Sequence, residues 1–169
     1  MWLASALLIA QSLGQYRVAI DVASDHRNQW GVIANLGASL VVVNHPTQVG
    51  LDYSPGVVPA LELGASRAIG DLSELQLRVR LLDNPRLRPW IYFGYRGYSG
   101  EGPITTFFSF EGLAVTGRDW GFGLHANGGL EWDPARWWGL NATLGLAAAA
   151  GAAFVFSFDA LLGVQFRFE

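Results

Sequence analysis

Trp120-Gly121-Phe122-Gly123-Leu124-His125-Ala126-Asn127-Gly128-Gly129-Leu130-Glu131-Trp132-Asp133 splits into two sets of alternating residues. The even positions are Trp120, Phe122, Leu124, Ala126, Gly128, Leu130 and Trp132, and the odd positions are small or polar. A period of 3.6 would scatter both sets around a helix, whereas a period of two places each set on one face of a strand. This stretch therefore predicts a long strand with one apolar and one polar face.

The same period extends outward in both directions. Phe154, Phe156, Phe158, Ala160, Leu162, Val164, Phe166 and Phe168 alternate with Val155, Ser157, Asp159, Leu161, Gly163, Gln165 and Arg167. Trp138, Leu140, Ala142, Leu144 and Leu146 alternate with Gly139, Asn141, Thr143 and Gly145. Toward the N-terminus, Leu75, Leu77, Val79 and Leu81 oppose Glu74, Gln76, Arg78 and Arg80, while Leu61, Leu63 and Ala65 oppose Glu62, Gly64 and Ser66. Tyr16, Val18, Ile20 and Val22 oppose Arg17, Ala19, Asp21 and Ala23. The stretch from Trp90 to Tyr98 is aromatic throughout, and its faces are not assigned by pattern. Eight strands are expected, at 15–24, 29–43, 57–68, 74–83, 88–98, 118–132, 137–148 and 154–168. Leu144 to Phe158 is apolar and Ala-rich enough to suggest a helix, but Asp159 and the resumed alternation favour two strands.

Composition narrows the class. The chain has 169 residues, no Cys, 21 Gly and 7 Trp, and only 15% of its residues are charged, against about 25% in ordinary soluble domains. One domain suits this length. The mean hydropathy is +0.25, yet no run reaches the ~18 apolar residues of a membrane-spanning helix. A net charge of −3 gives no basic footprint for nucleic acid. All 11 cations are Arg. The missing cysteines exclude a disulfide scaffold.

An even number of long antiparallel strands fits a transmembrane barrel, and the face assignment follows from size. Eight strands enclose a narrow interior. Here the bulky residues share one face and Gly, Ala, Ser, Asn and Thr share the other, so the aromatic face points outward to lipid. Trp120 and Trp132, twelve residues apart on that face, are separated by about 30 Å at ~3.3 Å per residue and a tilt near 40°, close to the ~25 Å apolar band of such barrels. Trp30, Trp120, Trp132, Trp138, Phe166 and Phe168 are the expected membrane-interface aromatics. The segment Met1–Gly14 has the apolar core and small-residue cleavage site of a signal peptide without a basic start, leaving 15–169 as the barrel domain. Asp83-Asn84-Pro85-Arg86 and Asp133-Pro134-Ala135-Arg136 are tight turns on one side of the barrel, with Tyr98 to Arg118 the long connection on the other. The long Asn44–Gly56 connection does not fit that alternation.

Trp120-Gly121-Phe122-Gly123 through Trp132, the Asp133-Pro134-Ala135-Arg136-Trp137 turn, Leu87-Arg88-Pro89-Trp90 and the closing Gly163-Val164-Gln165-Phe166-Arg167-Phe168 together resemble the OmpA/OmpX-like outer-membrane β-barrel superfamily. The resemblance covers residues 57–169 best and 15–56 by pattern alone. It implies an all-β fold, an eight-stranded antiparallel up-and-down transmembrane barrel in the bacterial outer membrane, bathed in outer-membrane lipid. It further implies recognition of the C-terminal strand by the barrel-assembly machinery through a terminal aromatic, which here is Phe168 one residue before the end. A monomer is expected.

The inward-facing candidates are Arg17, Asp21, Glu62, Arg78, Arg80, His125, Glu131, Asp159 and Arg167. Unpaired charges in a narrow lumen are costly, so these groups are expected to pair and plug it. A narrow porin-like conduit for small solutes is the alternative, and a lipid-modifying enzyme the more remote one. The enzyme would need a nucleophile beside His125, and Ser157 is the strand residue available. No catalytic residue, cofactor or metal site is assigned, because His26 and His45 lack ligand spacing. Ile104, Phe107, Phe108 and Phe110 in the long connection form a candidate partner-binding loop, or else extend the adjoining strands.

Overall fold

A computed structural model describes residues 29–44, 56–82, 87–100 and 102–169. Eight strands run in chain order: β1 (Trp30–Asn44), β2 (Gly56–Gly70), β3 (Ser73–Leu82), β4 (Leu87–Ser99), β5 (Ile104–Gly117), β6 (Gly121–Ala135), β7 (Trp138–Gly151) and β8 (Phe154–Phe168). Each pairs antiparallel with its neighbours, and β1 pairs with β8, closing the barrel. The β1–β8 seam is long and regular, from Trp30 opposite Phe168 to Asn44 opposite Phe154. No helix among the described residues is long and apolar enough to cross a membrane. The Ala-rich stretch after Leu144 forms the end of β7 and the start of β8, joined by a two-residue turn at 152–153.

The count of eight matches the expectation, but the strands are not the expected eight. Residues 104–117, read from the sequence as part of a connection, form β5 and pair with β4 and β6 along their whole length. The expected strand 15–24 and the expected signal peptide at 1–14 lie outside the described residues, and the ring closes without them. The candidate loop is thereby corrected. Phe107 points into the barrel, while Ile104, Phe108 and Phe110 lie on its outer wall.

Adding β5 also reverses the sidedness of the connections. Both chain ends of the barrel, with the connections at 71–72, 100–103 and 136–137, lie at what we call the terminal end. The connections at 45–55, 83–86, 118–120 and 152–153 lie at the distal end. The 83–86 and 133–136 segments, expected together, are therefore at opposite ends. The longest connection, 45–55, now leaves the distal end, the end opposite the chain termini, where small transmembrane barrels carry their longer loops.

Besides a shift at Ala68–Gly70 in the β2–β3 pair, two local irregularities sit where proline removes a donor. The register shifts between Arg88 and Trp90, around Pro89, and between Trp132 and Ala135, ahead of which lies Pro134. Both are bulge positions, where a missing N–H breaks no regular pair. Gly117, at φ 104°, opens the tight β5–β6 turn in a conformation that favours glycine.

The outer wall is a continuous apolar surface. Leu36, Leu63, Leu77, Phe93, Phe110, Leu124, Leu144 and Leu162 are all exposed along its middle. Among the described outward-facing strand side chains the only charged one is Arg67, stacked 4.9 Å over Trp30 at the terminal end. Water would solvate such a surface poorly, whereas a bilayer's hydrocarbon matches it. The outward tryptophans lie near the ends. Trp120 packs edge-on to Phe122 distally, while Trp132, Trp137, Trp138 and Phe166 form a contiguous cluster at the terminal end. Of these, Trp137 was not among the expected interface residues.

Candidate functional site

The inward positions build the interior in three layers. At the distal end Val41, Trp90, Tyr92, Leu113, Val115, Ala147, Ala149 and Val155 form a buried apolar cluster. This layer explains the difficult stretch from Trp90 to Tyr98. Trp90, Tyr92, Arg96 and Tyr98 face inward and Ile91, Phe93 and Tyr95 face outward, so both faces carry aromatics.

The middle layer is a ring of ionisable groups. Arg78 pairs with Glu62 and, through two hydrogen bonds, with Glu111. His125 Nδ1 lies 2.7 Å from Glu111 Oε2, and His125 Nε2 lies 3.4 Å from Asp159 Oδ2. Arg80 Nη1 meets Asp159 Oδ2 at 2.6 Å, and its Nε and Nη2 donate to Glu62 Oε2 at 3.1 and 3.0 Å. The sequence Glu62–Arg78–Glu111–His125–Asp159–Arg80 thus returns to Glu62. The ring alternates three carboxylates with two guanidiniums and the His125 imidazole. Flanking groups satisfy the remaining lone pairs. Asn35 donates to Glu62 at 2.7 Å, Ser39 to Asp159 at 2.7 Å and Asn127 to Glu111 at 3.2 Å. The Tyr92 ring closes this layer distally, 4.7 Å from the His125 ring and 4.8 Å from the Arg80 guanidinium.

The third layer lies toward the terminal end. Arg167 donates to Asp133 at 2.7 Å, pairs with Glu131 and lies 3.8 Å from Glu74. Arg96 donates to Ser109 at 3.1 Å, approaches Glu131 at 3.6 Å and stacks 4.1 Å from the Phe107 ring. Gln165 bridges Ser66 and Glu74 at 3.0 and 3.2 Å. All these groups are buried. At such burial each charge depends on its partners, because removing one leaves the other uncompensated.

Room for the ring is made by glycine. A Cβ on Gly145 would lie 2.6 Å from His125 Nε2, and one on Gly163 would overlap the Asn35 side-chain oxygen. These glycines are inward positions whose missing side chains are replaced by those of neighbouring strands.

Seven of the nine expected inward residues, Glu62, Arg78, Arg80, His125, Glu131, Asp159 and Arg167, are buried in these two polar layers. Arg17 and Asp21 lie outside the described residues. Sequence reasoning missed Glu111, Arg96, Glu74 and Asp133. Glu111 belongs to the unrecognised strand and Arg96 to the stretch without assigned faces. Glu74 and Asp133 stand on polar faces that were read correctly, so the alternation itself could have found them. Ser157 and His125 both turn to Asp159, with Ser157 Oγ 3.5 Å from Oδ2, so the carboxylate stands between the only considered nucleophile and its base. Among the described residues no group of three or more acidic, His or Cys side chains could hold a metal ion.

No family model and no curated protein sequence matches the chain. Solved structures do. The neisserial surface protein NspA superposes with a TM-score of 0.61 at 12% identity, covering 82% of this chain and 97% of that one. The outer membrane protein OprG from Pseudomonas aeruginosa gives 0.59 at 10% identity, covering 88% and 100%. This chain has the fold of the small outer-membrane β-barrels. A de novo designed transmembrane β-barrel matches as well, with a TM-score of 0.57 at 12% identity, covering 86% and 99%. With its apolar belt and closed sheet, the molecule has the architecture of a transmembrane β-barrel. At these identities the likeness is one of fold.

Proposed function

We propose that the protein is a non-conducting outer-membrane barrel with a structural or surface-interaction role, its lumen plugged by ion pairs. The observation that carries this reading is the closed ring of Glu62, Arg78, Glu111, His125, Asp159 and Arg80, which spans the interior beneath the distal apolar layer. An ion moving along the axis would have to part buried pairs and then cross a layer of Trp90, Leu113 and Val155 that offers no coordinating groups. The barrel stands as a monomer in outer-membrane lipid, and assembly is directed through the C-terminal strand ending at Phe168. A surface role would fall to the distal connections, of which 45–55 is the longest.

Planar-bilayer recording on the refolded protein tests this. Silent membranes are expected for the wild type, with currents emerging only when both layers are breached, as in Trp90→Ala combined with Arg80→Ala. Discrete wild-type openings would instead establish the porin-like reading. Among the described residues, Ser157 and His125 are separated by the Asp159 carboxylate and form no nucleophile–base pair for the enzyme reading.

A further inference from the structure

The outer wall is not uniform around the barrel. Across β1, β6, β7 and β8 it is hollowed at mid-height into a groove of about 520 Å³, floored by Gly128, Ala142 and Ala160 and rimmed by Leu36, Leu144 and Leu162. Register explains the shape. Ala142 lies between Leu130 and Leu162 in the register, and Ala160 between Leu144 and Ala38, so the small residues are bordered by leucines on adjoining strands. On the opposite wall the same height carries Leu77, Phe93 and Phe110, which stand out from the sheet.

The aromatic cluster of the terminal end stands on the same wall, between the groove and the chain termini. Trp132, Trp138 and Phe166 lie on the same strands, and Trp137, 60% exposed, stacks on Phe166 just beyond them. From Trp138 to Leu144 is six residues along β7. At ~3.3 Å per residue and a tilt near 40° that is about 15 Å along the membrane normal, half of the ~30 Å hydrocarbon thickness. A chain anchored at the aromatic level therefore ends in the groove. Arg136, in the β6–β7 turn, is half-exposed and paired with Glu169 at 3.0 Å, at the height of a lipid headgroup.

We propose that this wall is a phospholipid site, with one acyl chain of a lipid from the terminal-end leaflet lying past Trp132 and Phe166 into the groove. Its headgroup phosphate competes with Glu169 for Arg136. The occupant is a lipid because the groove opens directly into the apolar belt that already faces hydrocarbon. The site does not depend on whether the lumen conducts.

The test refolds the full chain in vesicles of palmitoyl-oleoyl phosphatidylethanolamine and phosphatidylglycerol, extracts it into mild detergent and weighs the intact complex by native mass spectrometry. The wild type is expected to retain one phospholipid. Ala142→Phe with Ala160→Phe, which fills the groove from outside, is expected to lower the retained fraction at least tenfold, while Val79→Phe on the opposite wall leaves it unchanged. Equal retention in the filled variant, no retained lipid in the wild type, or a two-chain species abolished by the filling would each overturn the proposal, the last by making a second copy the occupant. Should the double variant not fold, the wild type decides alone. A phospholipid with a nitroxide near its terminal methyl should broaden the Ala142 and Ala160 methyl resonances more than that of Ala65 on β2, outside the groove, and equal broadening would overturn the assignment.

Discussion

Replacing Glu62 with Gln opens the central ring at the carboxylate that both arginines share. Glu62 accepts four hydrogen bonds, one from Asn35 and three from the guanidiniums of Arg78 and Arg80. A Gln amide keeps one acceptor oxygen and turns an NH2 toward donors that cannot accept from it. Neither arginine is stranded, since Arg78 keeps Glu111 and Arg80 keeps Asp159. The cost therefore lies above one lost charged hydrogen bond, about 1.5–3 kcal/mol, and near the lower edge of a broken buried pair, about 3–5 kcal/mol. About 3 kcal/mol is expected, a large share of the ~5–15 kcal/mol that holds a domain together. Reversible urea unfolding in fluid vesicles, followed by tryptophan emission, measures it. The paired variant Arg80→Met, made alone and with Glu62→Gln, supplies the coupling. A loss below about 1 kcal/mol for Glu62→Gln, or additivity of the two changes within about 0.5 kcal/mol, would show that the ring is not an interacting unit.

Gly145→Val should prevent the heat-sensitive gel shift of a closed barrel, because its Cβ would meet the His125 ring, whereas Gly112→Ala on the outer wall should keep it. Phe110→Arg should destabilise the barrel by about 2–4 kcal/mol, the penalty for a cation at the bilayer midplane, whereas a loop residue would tolerate the change in the same urea titration. Arg167→Met should lower the unfolding midpoint strongly, since Glu131 and Asp133 lose their common partner, and Arg167→Met with Glu131→Gln should recover part of the loss.

The fold was legible where lumen and lipid differ in polarity. From Trp120 to Asp133 and from Phe154 to Phe168 the inward residues are polar and the outward ones apolar, and period two stands out. Near the distal end that contrast vanishes, because the lumen itself is apolar. There Leu113 and Val115 face inward, and toward the terminal end inward Phe107 stands beside outward Phe108 and Phe110, so β5 reads as an undivided hydrophobic stretch. The same condition hid the faces of Trp90 and Tyr92. The ring was legible as a set of charged residues but not as a circuit. Its connectivity depends on which strands close against which, and losing β5 removed Glu111, the link between Arg78 and His125.

The ring's members come from β2, β3, β5, β6 and β8, and its supports Asn35 and Ser39 come from β1, so its contacts join residues as far apart as Ser39 and Asp159. No partial sheet can complete it. A chain that has not yet received its last strand holds Arg80 without Asp159, and Glu131 without Arg167, and would have to carry those charges into hydrocarbon unpaired. Crossing the membrane strand by strand is thus opposed at each step, and insertion is favoured only as the β1–β8 seam forms. The buried charges that fill the finished barrel make its biogenesis all-or-none, and reject an unfinished barrel before it can lodge in the bilayer.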